Sequence, residues 1–118
     1  MATGTIRPEI VTAEQINGRT FFYENISTST TVTIETLSSI VGVALFFTGT
    51  TAARCGEYLV LFMNPSTVPT VTPVLAASGI SISASEGKIT ITSSGGTTYL
   101  SVMCLYPPSA SRIKITST

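Results

Sequence analysis

The chain has no histidine, no aspartate and no tryptophan, and it carries only two cysteines. Without His or Asp it can form no Ser-His-Asp or Cys-His constellation, no histidine metal site and no aspartic dyad. Charge is scarce too: six Lys or Arg and six Glu make up 10% of the 118 residues, against about 25% in a typical soluble domain. Those charges are scattered, so no basic stripe exists to neutralise a run of phosphates, which argues against nucleic acid as a partner. Long apolar runs are missing as well. The most apolar stretch, Ile40 to Phe47, falls far short of the ~20 residues that span a bilayer, and no membrane insertion is expected. Met1 to Pro8 has neither the basic region nor the apolar core of a secretory signal, which points to synthesis in a cytoplasm. Disulfides are rare there, and Cys55 and Cys104 could pair only if folding brought their Cα atoms within about 7 Å, so both are read as reduced thiols.

What the chain has in abundance is hydroxyl. Ser and Thr supply 36 of the 118 residues, and they alternate with aliphatic side chains in Thr31-Val32-Thr33-Ile34-Glu35, Ile80-Ser81-Ile82-Ser83, Lys88-Ile89-Thr90-Ile91-Thr92 and Arg112-Ile113-Lys114-Ile115-Thr116. A period of two puts apolar and hydroxyl groups on opposite faces of extended segments. Strand signals recur over 20–24, 30–36, 39–47, 57–63, 79–84, 88–93, 97–106 and 111–116. About eight strands with short connections predict an all-β chain folded as an antiparallel β-sandwich, jelly-roll-like, in a single domain over 1–118. Residues 1–19 alternate weakly and read as an N-terminal arm or edge strand, and no segment makes a convincing amphipathic helix.

Ser85-Glu86-Gly87 predicts a three-residue hairpin loop with Gly87 at positive φ, joining the two halves of an 80–92 hairpin. Pro65, Pro69 and Pro73 each lack an amide donor, which assigns their segment to a loop or a sheet edge. Three strands are apolar on both faces. In 97–106, Leu100, Val102 and Cys104 fall on one side and Tyr99, Met103 and Leu105 on the other, so this strand is placed centrally. Residues 40–47 and 58–63 share that character, which predicts one face packed within the subunit and the other against a neighbouring chain.

No catalytic, cofactor-binding or metal site is expected. The carboxylates are Glu9, Glu14, Glu24, Glu35, Glu57 and Glu86, and a glycosidase would need two of them across a cleft. Arg54-Cys55-Gly56-Glu57 gathers polar functionality inside an apolar region. Arg54 could lower the Cys55 thiol pKa; the plainer reading is a turn with Arg54 and Glu57 as a surface or inter-subunit pair. Tyr23 and Tyr106 offer apolar faces with a polar tip, suited to stacking on a sugar or anchoring an interface. Tyr23, Arg54 and Tyr106 are the candidate ligand-binding residues.

The order of these strings resembles a family of small Ser/Thr/Gly/Ala-rich β domains of phages and prophages, found in tail-fibre tips, receptor-binding heads and other virion appendages. The resemblance rests on Val43-Ala44-Leu45-Phe46-Phe47, the small-residue loop that follows, Ala53 to Val60, Val74 to Ile82, Gly87 to Thr92 and Tyr99 to Leu105. It implies a virion protein made in the bacterial cytoplasm, assembled as a homotrimer and binding a host cell-surface glycan or protein without catalysis. The chain departs from a whole fibre in having no shaft repeat and no separate attachment domain. Two other readings stand beside this one: a purely structural assembly protein, such as a capsid decoration or tail component, and a free carbohydrate-binding module.

Overall fold

The computed structural model describes residues 10–12, 21–37, 39–95, 98–106 and 113–118. In chain order the strands are β1 (Ile10–Thr12), β2 (Phe21–Ile26), β3 (Thr31–Thr36), β4 (Val41–Gly49), β5 (Gly56–Phe62), β6 (Thr70–Leu75), β7 (Ile80–Ser85), β8 (Lys88–Ser93), β9 (Thr98–Tyr106) and β10 (Ile113–Ser117). Among the described residues the helical content is a three-residue 3-10 turn, Ala52–Arg54. All the strand pairings are antiparallel, in two five-stranded sheets ordered β1-β10-β3-β8-β7 and β2-β9-β4-β5-β6. The chain therefore changes sheet repeatedly, and the two sheets stack as an antiparallel β-sandwich. We call the layers the β3 sheet and the β4 sheet.

The alternation read from the sequence decides which side of each strand is buried. Val32 and Ile34 on β3, Ile89 and Ile91 on β8, and Ile113 and Ile115 on β10 point inward from one sheet. They meet Val41, Val43, Leu45 and Phe47 of β4, Val60 and Phe62 of β5, and Leu100, Val102 and Cys104 of β9. β-Branched residues dominate the first set because two heavy atoms on Cβ suit the pleated surface. Phe47 meets Tyr58 edge to face, with ring centroids 5.5 Å apart. The Tyr58 hydroxyl accepts a 2.9 Å hydrogen bond from the buried amide of Ala77, which ties the β6–β7 connection to the β4 sheet.

The described residues form ten strands where the sequence suggests about eight, the additions being β1 and β6. Both lie at sheet edges, β1 as the 1–19 segment allowed and β6 as its prolines allowed. Pro73 pairs with Tyr58 on that edge, and the register then shifts so that Leu75 faces Glu57, leaving Val74 as the extra residue. Ile10–Thr12 is a three-residue strand paired with β10. β9 is flanked on both sides, by β2 and β4, as its two apolar faces required.

The 80–92 hairpin is present, with one correction. Ser85 pairs directly with Lys88, so the loop is the two residues Glu86 and Gly87 rather than three. Gly87 takes φ 72°, and its amide donates to the Thr67 carbonyl while its carbonyl accepts from the Thr36 amide. A Cβ at this position would lie 2.5 Å from the Pro65 carbonyl oxygen. Gly87→Ala is therefore expected to destabilise the fold by about 1–3 kcal/mol, from a left-handed backbone combined with a backbone clash. A urea midpoint indistinguishable from the parent would contradict this account of the turn.

Candidate functional site

The two outer faces of the sandwich differ in chemistry. On the β4 sheet the apolar side chains that alternate away from the core are Phe46, Leu59, Leu61, Tyr99, Met103 and Leu105, all but Met103 being at least 36% exposed, with Glu57 and Ser101 on either side of Phe46. Leu59 faces Ala44, which faces Met103, and Leu61 faces Gly42, which faces Tyr106. A Cβ at Gly42 would meet nothing within 4 Å. Small residues on β4 thus floor a trough, with the leucines of β5 on one side and Met103 and Leu105 of β9 on the other. Taking ~200 Å² for a large side chain, a face of this kind leaves several hundred Å² of contiguous apolar surface, about the most that a soluble monomer shows.

The β3 sheet presents hydroxyls instead. Ser83, Thr90, Thr33 and Thr116 stand opposite one another across β7, β8, β3 and β10, and Ser81, Thr92 and Thr31 form the next row. Glu35 faces Lys88 on one side and Lys114 on the other, an arrangement of opposite charges that favours this register. One face is therefore suited to burial against another apolar surface, and the other to water or to hydroxylated ligands.

The candidate residues are dispersed over this body. Tyr106 ends β9 and is 60% exposed, at the edge of the apolar face. Arg54 closes the 3-10 turn between β4 and β5, at the end of the sandwich where β9 begins. Eight strand steps of roughly 3.4 Å separate the two ends of β9, so Arg54 and Tyr106 cannot touch one compact ligand together. Tyr23 pairs with Ser101 in β2, and its side chain lies outside the described set. Arg54 and Glu57 make no ion pair, because Glu57 stands opposite Phe46 on the β4 sheet while Arg54 turns toward the ends of β7 and β8. Neither cysteine is in a disulfide: Cys104 is buried in the core with its Sγ 3.8 Å from the Tyr106 carbonyl oxygen, and the Cys55 Sγ donates to the Thr51 carbonyl at 3.6 Å. Among the described residues, no group of three or more His, Cys, Asp or Glu gathers to hold a metal ion, and no helix is long and apolar enough to cross a membrane.

Sequence reasoning found the two-faced strands but missed the trough, whose signal is the alternation of Gly42 and Ala44 with Val41, Val43 and Leu45. It also missed Thr98, whose hydroxyl is buried without a hydrogen-bond partner. No local pattern marks that position.

No family model and no curated protein matches the sequence. Among solved structures, the chain is similar to the tailspike protein gp49 from Acinetobacter baumannii bacteriophage Fri1, a capsular polysaccharide depolymerase, with a TM-score of 0.53 over 96% of this chain. Part of a phage tailspike shares the fold. Identity is 17%, and the alignment occupies 22% of the tailspike, so the chain spans about a fifth of that protein's length. The likeness is one of architecture: it concerns the sandwich and not the residues on its surface.

Proposed function

We propose that this chain is a β-sandwich module of a phage or prophage virion appendage, working without catalysis as a trimeric receptor-binding unit for a host cell-surface glycan. The apolar outer face of the β4 sheet carries this reading, because a surface holding Phe46, Leu59, Leu61 and Leu105 together calls for a covering partner. Identical copies arranged about an axis would cover it, and closed rotational symmetry is the usual form of such assembly. The architecture shared with a tailspike, itself a capsular polysaccharide depolymerase, supports the appendage context and a glycan as the ligand class. The hydroxyl rows of the β3 sheet would then face outward, where they can exchange water for sugar hydroxyls.

The non-catalytic reading rests on the inventory. The chain has no His or Asp, and Glu35 and Glu57 stand on opposite outer faces of the sandwich, where they cannot act on one glycosidic bond. Incubation with capsular polysaccharides is expected to release no reducing ends. Release that disappears in Glu57→Gln would overturn this part of the reading. Sedimentation equilibrium at micromolar concentration is expected to give a species near three times 12.3 kDa, and a single species at 12.3 kDa would defeat the trimer. A glycan array separates the receptor-binding reading from a purely structural one: a trimer that retains no glycan would be an assembly component.

A further inference from the structure

At the end of the sandwich where β4 leads into β5, the Arg54 side chain crosses from the β4 sheet to the β3 sheet. A Cβ at Gly79 would lie 3.0 Å from Arg54 Nη1 and 3.1 Å from Ser94 Oγ, and one at Gly95 would lie 3.9 Å from Arg54 Nη2. The guanidinium therefore lies beside Gly79 and Gly95, and the Ser94 hydroxyl borders Gly79 as well. The backbone holds that arrangement, since the Ser78 amide donates to the Ala53 carbonyl at 2.7 Å and the Ser94 amide to the Gly79 carbonyl at 2.8 Å. Gly79 itself sits at φ 81°, which favours glycine and so keeps the wall against the guanidinium free of a side chain.

Arg54 Nη1 is buried without a hydrogen-bond partner, although the side chain as a whole is only partly buried. Leaving a charged donor without an acceptor is among the more unfavourable things a fold can do. The other described cations, Lys88 and Lys114, both stand beside Glu35. A second polar atom at the same end is also unpaired: Thr98 Oγ1 is buried without a partner where β9 begins, opposite Gly49 of β4. Two independent hydrogen-bonding deficits thus fall at one end of a body whose remaining described buried side-chain polar atoms are satisfied.

We infer that Arg54 anchors a carboxylate site at this end of the sandwich, and that the carboxylate belongs to a uronic acid of an acidic glycan. A guanidinium is a planar fork of donors that matches a carboxylate in two parallel bonds, which a neutral sugar cannot reproduce. Nη1 itself is enclosed, so the carboxylate would meet the remaining donors of the partly buried guanidinium, where Gly79 and Gly95 add no side chain to keep a saccharide from approaching. This inference rests on the glycan-binding reading above and adds to it a chemical class and a position.

The test compares binding of free glucuronate, free glucose, a glucuronate-containing oligosaccharide and its uncharged counterpart to the intact protein and to Arg54→Leu and Arg54→Lys. The acidic oligosaccharide is expected to bind at least ~10-fold more tightly than the neutral one, with free glucuronate preferred over glucose in the same sense. Arg54→Leu should remove the preference, and Arg54→Lys should keep part of it, having the charge but not the fork. Without ligand, Arg54→Leu should melt at the same temperature as the parent or higher, because it deletes an unpaired buried donor; a merely structural arginine would lower the melting point. Equal binding of acidic and neutral oligosaccharides would overturn the site while leaving the glycan-binding reading intact. So would an acidic preference that survives Arg54→Leu. Loss of the oligomer in Arg54→Leu, with no glucuronate binding by the parent, would assign the guanidinium to a carboxylate of a neighbouring copy and overturn the inference. Should Arg54→Leu fail to fold, the comparison of the parent with Arg54→Lys decides, equal acidic preference in the two counting against the fork.

Discussion

The double variant Leu59→Lys, Leu61→Lys is expected to sediment as a monomer while keeping a β-sheet circular dichroism spectrum. Both leucines lie on the outer face of the β4 sheet, 40% and 44% exposed in the single chain, so lysine there can extend into water without disturbing the core. In an assembly that buries this face, each ammonium would lose its hydration opposite apolar side chains, at an effective penalty of several kcal/mol per ion. Even about 4 kcal/mol in total weakens association by roughly a thousandfold, enough to dissociate a micromolar sample. An unchanged sedimenting mass would show that copies meet elsewhere. The hydroxyl face supplies a control, since Thr33→Lys on the β3 sheet should leave the mass as it is.

Phe47→Ala should lower unfolding stability by about 3–5 kcal/mol, the range typical of truncating a large buried aromatic, whereas Phe46→Ala should change it by less than about 1 kcal/mol. The two residues are adjacent in sequence and point to opposite sides of β4. Phe47 is 1% exposed and packs edge-on against Tyr58, so its removal leaves a cavity beside a ring whose hydroxyl must keep accepting from the Ala77 amide. Phe46 is 41% exposed and leaves no comparable void. Against a typical total of about 5–15 kcal/mol, the Phe47 loss is large enough to read directly as a shift in urea midpoint at constant slope. The comparison is made where the protein is monomeric, because Phe46 lies on the face assigned to assembly. Equal losses from the two substitutions would mean that the assignment of inner and outer faces is wrong.

Where the chain alternates strictly, residue by residue, the fold could be read from sequence. β3, β7, β8 and β10 lie within a residue or two of where their Ile/Val and Ser/Thr patterns placed them, because one face had to be apolar and a shift by one residue would have inverted every side chain. The two-faced strands were harder: apolar residues on both sides of β4, β5 and β9 identify strands but not which side turns inward. That choice is made by packing. Phe47, Phe62 and Leu100 fill the space between the layers, while Phe46, Leu61 and Leu105 do not. β6 was legible only as an edge, since Pro73 removes an amide that just the free side of a sheet can spare. The hairpin turn was misjudged by one residue because Ser85 is as compatible with a strand end as with a loop. Arg54 stands out in the sequence as part of the polar cluster Arg54-Cys55-Gly56-Glu57, but its environment comes from Gly79 and Gly95, brought to it only by the crossing of the chain between layers.

The placement of β10 bears on how the chain is made. Ile113 pairs with Thr36 and Ser117 with Val32, and β10 is the strand that joins β1 to β3. The amide of Thr118 donates to the Thr31 carbonyl and the amide of Thr31 to the Thr118 carbonyl, locking this register at its end. A nascent chain that has emerged from the ribosome only as far as β9 holds a sheet with a strand-wide gap and an interior missing Ile113 and Ile115. Folding must then wait for translation to pass those positions, and pairings so distant along the chain form slowly. Until then, β3 offers an open edge to any other extended chain nearby. Translation that stops short of β10 would therefore yield not a trimmed domain but a sticky intermediate, and protein made at high levels should depend on chaperones for as long as that gap stays open.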